Sequence, residues 1–424
     1  MTITIMNDYL VFPVYTHATE KKLIFRYEGK PVYQLNIKLD QASPDFYAYI
    51  DVSRFFGKDL ELSVIPEMEI SFRETNEVDI DHLYREAIRP QIHFTTKNGF
   101  LGNPKNLIYA DGVYHIFYSY NPADTECDNI HIGHAVSQDL IHWQEEKIAA
   151  FPDENGTLDW QGMVAQHLPC MQSELFSLSD SEGNQKWISM DETGRYSVGH
   201  VENGQFEAEQ SEQMLHYGNQ ECKGKTFSGL ENGRVIRMNW NRPEALHFGF
   251  CGQMGFPSEL SLEKYNGTYY LRALPVDEIG ILYKNTNRYN NICAKKGKSI
   301  EIPLADAAHR IHLKGQFDEN AVLKLTFFGR KMKIDFSENR MYIGKNQAPV
   351  SVTEKEMDIT LLIDRCGAEI FADHGKICLS SLTGDTMMDR NLLNFGVSCN
   401  TEYCLESVEI HALEPIWQTS PKKP

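Results

Sequence analysis

"KNGFLGNPKNLIYADGVYHIFYSYNP" (Lys97–Pro122) decides how this chain is read. Its second half, "LIYADGVYHIFYSY", sets two alternating runs on either side of Asp111-Gly112, a pair suited to a two-residue hairpin whose central positions both need positive φ. Its first half predicts a tight turn at Pro104, placed to lift one side chain to the mouth of a β-rich pocket. That turn, "LGNPKN", offers Asn103, Lys105 and Asn106 and no carboxylate.

The same period-two rhythm runs outward in both directions. Upstream, "YLVFPVY", "KLIFRYEGKPVYQLNIKL", "DFYAYIDV" and "LELSVI" are short alternating runs bounded by Gly, Pro or Asp, and they predict an N-terminal β-sandwich over residues 1–80. "DIDHLYREAIRPQIHF" has room for one helical turn before Pro90 stops it. Downstream, "NIHIGHAVSQDLIHW", "SELFSLSDSEGNQKWISMDETGRYSVGHVENGQFEAE" and "KTFSGLENGRVIRMNW" through "GQMGFPSELSLEKYNGTYYLRAL" repeat a strand-turn-strand unit. Units of this kind predict a β-propeller over 81–274 with three to four blades, at about 40–50 residues per blade. "VLKLTFFGRKMKIDFSE", "DITLLIDRCGAEIFADHGKICLSS" and "CLESVEIHAL" predict a C-terminal β-sandwich over 275–424. Helical periodicity is nearly absent, so the expected class is all-β.

Composition narrows the function. A chain of 424 residues with 42% hydrophobic and 24% charged residues has ample material for a core. Its net charge of −18 argues against nucleic acid and against an anionic membrane surface, both of which need clustered Lys and Arg. A neutral sugar needs no such help. The nine cysteines form no C-x-x-C pair, so neither a zinc site nor a dense disulfide framework is expected. His131 and His134 lie close in sequence but lack a third ligand, so no metal and no cofactor is expected. The start, "MTITIMNDYLVFPVY", has no basic segment followed by a long apolar run, and no stretch reaches the ~18 apolar residues of a membrane span. A cytoplasmic location with reduced thiols is the expectation.

Several stretches in the right order resemble glycoside hydrolase family 32, the β-fructosidases that include invertases and levanases. "RPQIHF", "NLIYADGVYHIFYSYNP", "NIHIGHAVSQDLIHW", "GQMGFPSELSL" and "LLIDRCGAEIFADHG" carry the likeness. It implies a five-bladed-type propeller, here shortened, followed by a sandwich. The first 80 residues resemble the extra sandwich that precedes the propeller in levanase-like members. The family cleaves with retention, using a carboxylate nucleophile and a carboxyl acid about 5–5.5 Å apart.

Laid on this chain, the family's nucleophile motif W-M-N-D-P-N-G reads "FLGNPKN", which puts Asn103 at the nucleophile position. An amide carries no negative charge and cannot attack in its place. The acid motif W-E-C-P-D-L-F is nearest to "CMQSELF", which puts Met171 at the acid position. The R-D-P motif, whose Asp holds fructosyl hydroxyls, has no counterpart. The family's F-S-G-S reads "WQGM", its late D-F-Y-A-A-Q-T-F reads "QECKGKTF", and Trp of H-W-G-H is Ile132.

No catalytic residue is therefore assigned. The ligand-binding candidates are Phe100, Asn103, Lys105, Asn106, Trp160, Gln161, Glu174, Gln220 and Lys225. Glu174 is the foremost substitute acid; Asp159, Asp124, Asp128 and Glu221 read as solvated loop charges. Trp143, Trp187 and Trp240 read as packing residues, and Asp364, Arg365 and Glu369 as structural parts of the sandwich. The expected function is that of a non-hydrolytic relative binding a small or oligomeric sugar, or a protein partner, with a homo-oligomer or partner covering the edges of a shortened propeller. The alternative is an active glycoside hydrolase on sucrose, levan or inulin that uses relocated carboxylates such as Glu174.

Overall fold

A computed structural model describes residues 1–39, 44–78, 84, 86–154, 158, 173–218, 223–242, 249–350, 356–382 and 392–417. These residues form strands joined by turns, with three short 3-10 segments and no α-helix among them. The class is all-β. Among the described residues no helix is long and apolar enough to cross a membrane.

The N-terminal strands make a four-stranded and a three-stranded sheet. Alternation builds their shared core: in Asp59–Ile65, Leu60, Leu62 and Val64 turn inward while Asp59 and Glu61 face solvent. They join Leu10, Phe12, Phe25 and Tyr33 in one cluster, which also takes in Ala123 from the next region. Polar contacts fix this sandwich to the loop after the Val113–Asn121 strand. The Tyr33 hydroxyl pairs with His131 Nε2 at 2.7 Å, and Lys38 pairs with Asp124 at 3.0 Å.

Three antiparallel propeller-type sheets follow. The first orders Gln144–Glu145, His131–Ser137, Val113–Asn121 and Gly99–Ala110, with Phe250–Cys251 added in parallel to Gly99 and Phe100. The second orders Ser173–Ser179, Gln185–Asp191, Arg195–Glu202 and Gln205–Ala208, and the third Lys223–Thr226, Val235–Asn241, Ser258–Tyr265 and Thr268–Pro275. The expected hairpin forms as read: Asp111 and Gly112 take φ of 52° and 81° between paired strands. Innermost strands of different sheets touch directly, since Ser228 N–H donates to Leu107 O and Tyr109 N–H to Ser228 O. Trp240 donates its indole N–H to Leu101 O and packs edge-on against Phe100. The bulk of the shared core is aliphatic and aromatic, with Leu101, Ile116, Ile188, Val198, Ile236 and Leu271 all fully buried.

The C-terminal sandwich packs a seven-stranded on a six-stranded sheet. His216–Gly218, from the propeller part of the chain, pairs in parallel with Ile377–Leu382 and so stitches the two regions. A buried charge cluster completes the seam. His93, in "RPQIHF", sits between Asp364 (2.8 Å) and Glu369 (3.2 Å). Asp364 also accepts the backbone N–H groups of Gln91 and Ile92, and Glu369 that of Phe256. Burial alone would lower the pKa of His93; the two carboxylates outweigh it and push it up to about 10.

Two expectations change. The cysteines are not all thiols: Cys293 and Cys404 lie directly opposite each other on paired strands and are joined by a disulfide. Strand pairing, which spacing does not reveal, brings them together across 111 residues. The Pro104 turn is also not a turn. Gly99–Ala110 runs as one strand whose register slips between Leu101 and Pro104 and again between Pro104 and Asn106. Proline has no N–H to give the ladder, so the strand bulges around it and continues.

Candidate functional site

The bulged strand meets Lys223–Thr226, which in turn meets Ser173–Ser179, and the ground between these three inner strands is the funnel. Phe100, Leu101, Gly102 and Pro104 are buried, while Asn103, Lys105 and Asn106 are half-buried along its open side. Lys105 Nζ donates to Asn103 Oδ1 at 3.3 Å, and the Ser119 hydroxyl approaches the same oxygen at 3.4 Å. The carboxamide oxygen of Asn103 is thus occupied by its own neighbours.

Facing this strand is Lys223–Thr226. Gly224 lets Lys223–Thr226 pack tightly on its own sheet neighbour, Val235–Asn241, because a Cβ there would fall 2.1 Å from Asn239 Oδ1 and 2.8 Å from Met238 O. Lys223 and Lys225 flank it, and their charges reach Lys105. Burial, with Lys223 and Lys225 adding repulsion, lowers the pKa of Lys105; Glu192 and Cys127 act in the opposite sense. Positive charge therefore gathers in this part of the funnel.

The carboxylates near it are already engaged. Glu174 accepts the Thr226 N–H through both oxygens at 3.0 and 3.1 Å, and Arg237 stands 3.5 Å away. Glu192 pairs with Lys223 at 2.6 Å. Arg237, almost fully buried, also donates to the carbonyls of Asp191 and Glu192. It ties the second sheet to the third. Burial raises the pKa of Glu174, and the Arg237 charge and Thr226 N–H oppose it.

The candidates named from sequence separate into distinct groups in space. Asn103, Lys105, Asn106, Glu174 and Lys225 lie on the inner strands. Phe100 does not line the funnel as expected: it is 1% exposed, packed on Trp240 and under Arg242, because the strand's alternation turns it inward. Met171, Trp160, Gln161 and Gln220 lie outside the described residues, as do Asp159 and Glu221. Asp124 and Asp128 are held structurally, by Lys38 and by the side-chain amide of Asn36, rather than solvated. Trp143 and Trp240 are core residues, each with its indole N–H satisfied by a backbone carbonyl.

Two participants escaped the sequence reading. Arg237 is one, and its signal was a cation inside the apolar run "VIRMNW". Glu192, a turn residue, gave no signal at all. His131 is buried and its pKa is driven down to about 3, chiefly by desolvation, so it stays neutral beside Tyr33. His134 instead stacks on His115, their ring nitrogens 3.0 Å apart. Among the described residues, one trio, His200, Glu202 and Glu207, has ligand atoms within 4.8 Å of one another; it is exposed on the outer strands of the second sheet.

The sequence profile of the glycosyl hydrolases family 32 N-terminal domain matches residues 93–168. The invertase of Schizosaccharomyces pombe is 48% identical over 77 residues, covering 18% of this chain and 13% of that protein. The levanase of Bacillus subtilis is 43% identical over 75 residues, covering 18% and 11%. The fold agrees: the exo-inulinase structure from Aspergillus awamori superposes with a TM-score of 0.63 over 80% of this chain and 100% of that one, at 13% identity.

Over residues 93–168 the chain is similar to glycoside hydrolase family 32. The aligned segment spans only 13% and 11% of the length of these two curated relatives. Within it lie the bulged strand with Asn103, the hairpin and the "NIHIGHAVSQDLIHW" strand pair. The inner strands of this chain carry Asn103, Lys105, Asn106, Glu174, Lys223 and Lys225.

Proposed function

We propose that this chain is a family 32 member that binds a carbohydrate, or a partner that presents one, without hydrolysing it. The observation that carries the reading is the state of the inner strands. The residue aligned with the nucleophile is an amide, Asn103, whose oxygen already accepts from Lys105, and the nearby carboxylates Glu174 and Glu192 are bound to Thr226, Arg237 and Lys223. Retaining hydrolysis needs one ionised and one protonated carboxyl aimed at the same bond. Asn103, Asn106, Lys105 and Lys225 supply hydrogen-bond donors and acceptors suited to sugar hydroxyls.

Isothermal titration with sucrose, kestose and short levan and inulin oligomers, beside product analysis after days of incubation, tests this. Saturable binding with no product supports it; steady turnover sinks it. Invertase and levanase relatives make sucrose and fructans the first sugars to try. Assembly belongs to the same proposal: a second copy or a partner would cover strand edges of the shortened propeller, which light scattering on the purified chain reads directly. A cytoplasmic location is likewise proposed, and the Cys293–Cys404 bond counts against it, because such bonds persist in oxidising compartments.

A second reading has one observation in its favour. Burial raises the pKa of Glu174, which is the direction a general acid requires. It would make the chain a glycoside hydrolase with a relocated acid, and its signature would be sugar turnover that disappears in Glu174→Gln.

A further inference from the structure

Away from the funnel, a cavity of about 260 Å³ opens between the Thr268–Pro275 strand of the third propeller sheet and the seven-stranded sheet of the sandwich. The segment "RIHLK" builds its floor. On Ala308–Gln316, Arg310, His312 and Lys314 fall on one face by period two, with Ile311 and Leu313 buried beneath. Thr360 and Asp358 lie directly across from His312 and Lys314 on the neighbouring strand. Arg272, Leu274, Pro275 and Asp277 form the opposite wall, and His374 closes one end. His374 takes a positive φ of 55°, and its carbonyl accepts from Arg272 Nε at 2.7 Å.

Charge in this cavity runs opposite to that of the molecule. Three permanent cations, Arg272, Arg310 and Lys314, face two carboxylates, Asp277 and Asp358, in a chain whose net charge is −18. Asp358 is saturated: His312 approaches one oxygen at 3.1 Å, and Lys314 and His374 approach the other at 3.0 and 3.4 Å. Arg310 is different. Among the described residues no carboxylate lies within 4.0 Å of it, and its polar contact is the Tyr283 hydroxyl. A network that served only to pin strands together would pair that guanidinium, as Arg234 is paired with Glu259 and Glu278. Here a guanidinium that lines the cavity has no carboxylate partner among the described residues, beside an ammonium and two imidazoles.

We propose that this cavity binds a small phosphate-bearing molecule. The guanidinium fork of Arg310 matches two phosphoryl oxygens, Lys314 and Arg272 add charge, and His312 and His374 add ring N–H donors. Leu274 and Pro275 give an apolar wall for the remainder of the molecule. The space exceeds what one phosphate fills; by contrast, the neighbouring hole lined by His216, Arg237 and Glu369 measures about 10 Å³, room for a single water. The site lies on the seam of propeller and sandwich, so its occupant would also brace the two regions against each other.

The test is calorimetric titration at constant ionic strength with inorganic phosphate and with a hexose 6-phosphate, on wild type, Arg310→Gln, Arg310→Lys and Lys22→Gln, an exposed position on the N-terminal sheet. The expected result is saturable binding that weakens at least tenfold in Arg310→Gln, recovers only in part in Arg310→Lys, and is unchanged in Lys22→Gln. Tighter binding of the hexose 6-phosphate assigns the site to an organic phosphate, and equal binding to free phosphate. Phenylglyoxal labelling of wild type, read by peptide mass spectrometry, is independent of how the variants fold: phosphate should protect Arg310. No saturable binding of either probe, undiminished binding in a folded Arg310→Gln, loss in Lys22→Gln, or unprotected Arg310 each overturns the proposal.

Discussion

Replacing Asn103 by Asp restores the atom type that family 32 uses for attack, but it does so beside a lysine. The new carboxylate would stand where the amide oxygen now lies, about 3.3 Å from Lys105 Nζ. At an effective dielectric of ~20, two unit charges at that spacing attract by about 5 kcal/mol. Both groups are half-buried, so screening and competing water reduce the net gain to roughly 1–2 kcal/mol. That is enough to lift the depressed titration of Lys105 by about one pH unit, at 1.36 kcal/mol per unit.

An ion-paired carboxylate is a poorer nucleophile, and on the proposed reading no proton donor comes with it. A positioned acid contributes about 10²- to 10⁴-fold, so Asn103→Asp should trail an intact family active site by at least that factor, or roughly 3–5 kcal/mol of barrier. The assay is product release from sucrose, levan and inulin over several days, beside the pH dependence of amine labelling at Lys105. Labelling should shift to higher pH while hydrolysis stays absent. Turnover within about tenfold of a family enzyme would mean that a competent acid already faces Asn103, and the placement of Met171 at the acid position would be wrong.

Four other outcomes are expected. Glu174→Gln should leave any sugar binding intact and cost about 1–3 kcal/mol in denaturant unfolding, because buried Arg237 loses its carboxylate; lost turnover instead of lost stability would favour the enzyme reading. Phe100→Ala should cost about 3–5 kcal/mol through the cavity beside Trp240, with sugar affinity unchanged in the folded fraction. His93→Gln should cost about 3–5 kcal/mol by leaving two buried carboxylates uncompensated. The folded pKa of His93 is raised to about 10, so its contribution is full below about pH 6.5 and fades as pH rises toward 10; a wild-type stability slope over that range, absent in the variant, checks it. Mass spectrometry of the unreduced protein should find Cys293 and Cys404 in one linked pair, and free thiols at both would remove that bond from the account.

Much of the fold was legible because strands write a period-two signature and hairpins need particular residues. Asp111-Gly112 reads correctly from two letters, since few residues accept positive φ at both positions. At Phe100 the family resemblance implied a loop position facing the pocket, whereas the residue lies in a strand that buries it against Trp240. The bulge at Pro104 was hidden because the same "NPK" letters suit a turn or a kinked strand, and only the partner strand decides between them. Contacts across long separations left no local trace. His93 meets Asp364 and Glu369 through partners more than 270 residues away, and Cys293 meets Cys404 because their strands happen to be in register.

On the proposed reading, the scaffold has outlasted its hydrolytic chemistry. A catalytic carboxylate pair is costly to maintain, since each group must be kept partly desolvated and the two held in different protonation states. On the inner strands of this chain the acceptors are taken up instead: Lys223 takes Glu192, Arg237 and the Thr226 N–H take Glu174, and Lys105 takes the Asn103 oxygen. Each of these contacts links one sheet to another or stiffens the bulge, so each stabilises the propeller while consuming a group that hydrolysis would need free. Introducing one acid would therefore compete with these packing contacts, and this is why a single-residue change should fail to yield hydrolysis even where the backbone follows its relatives.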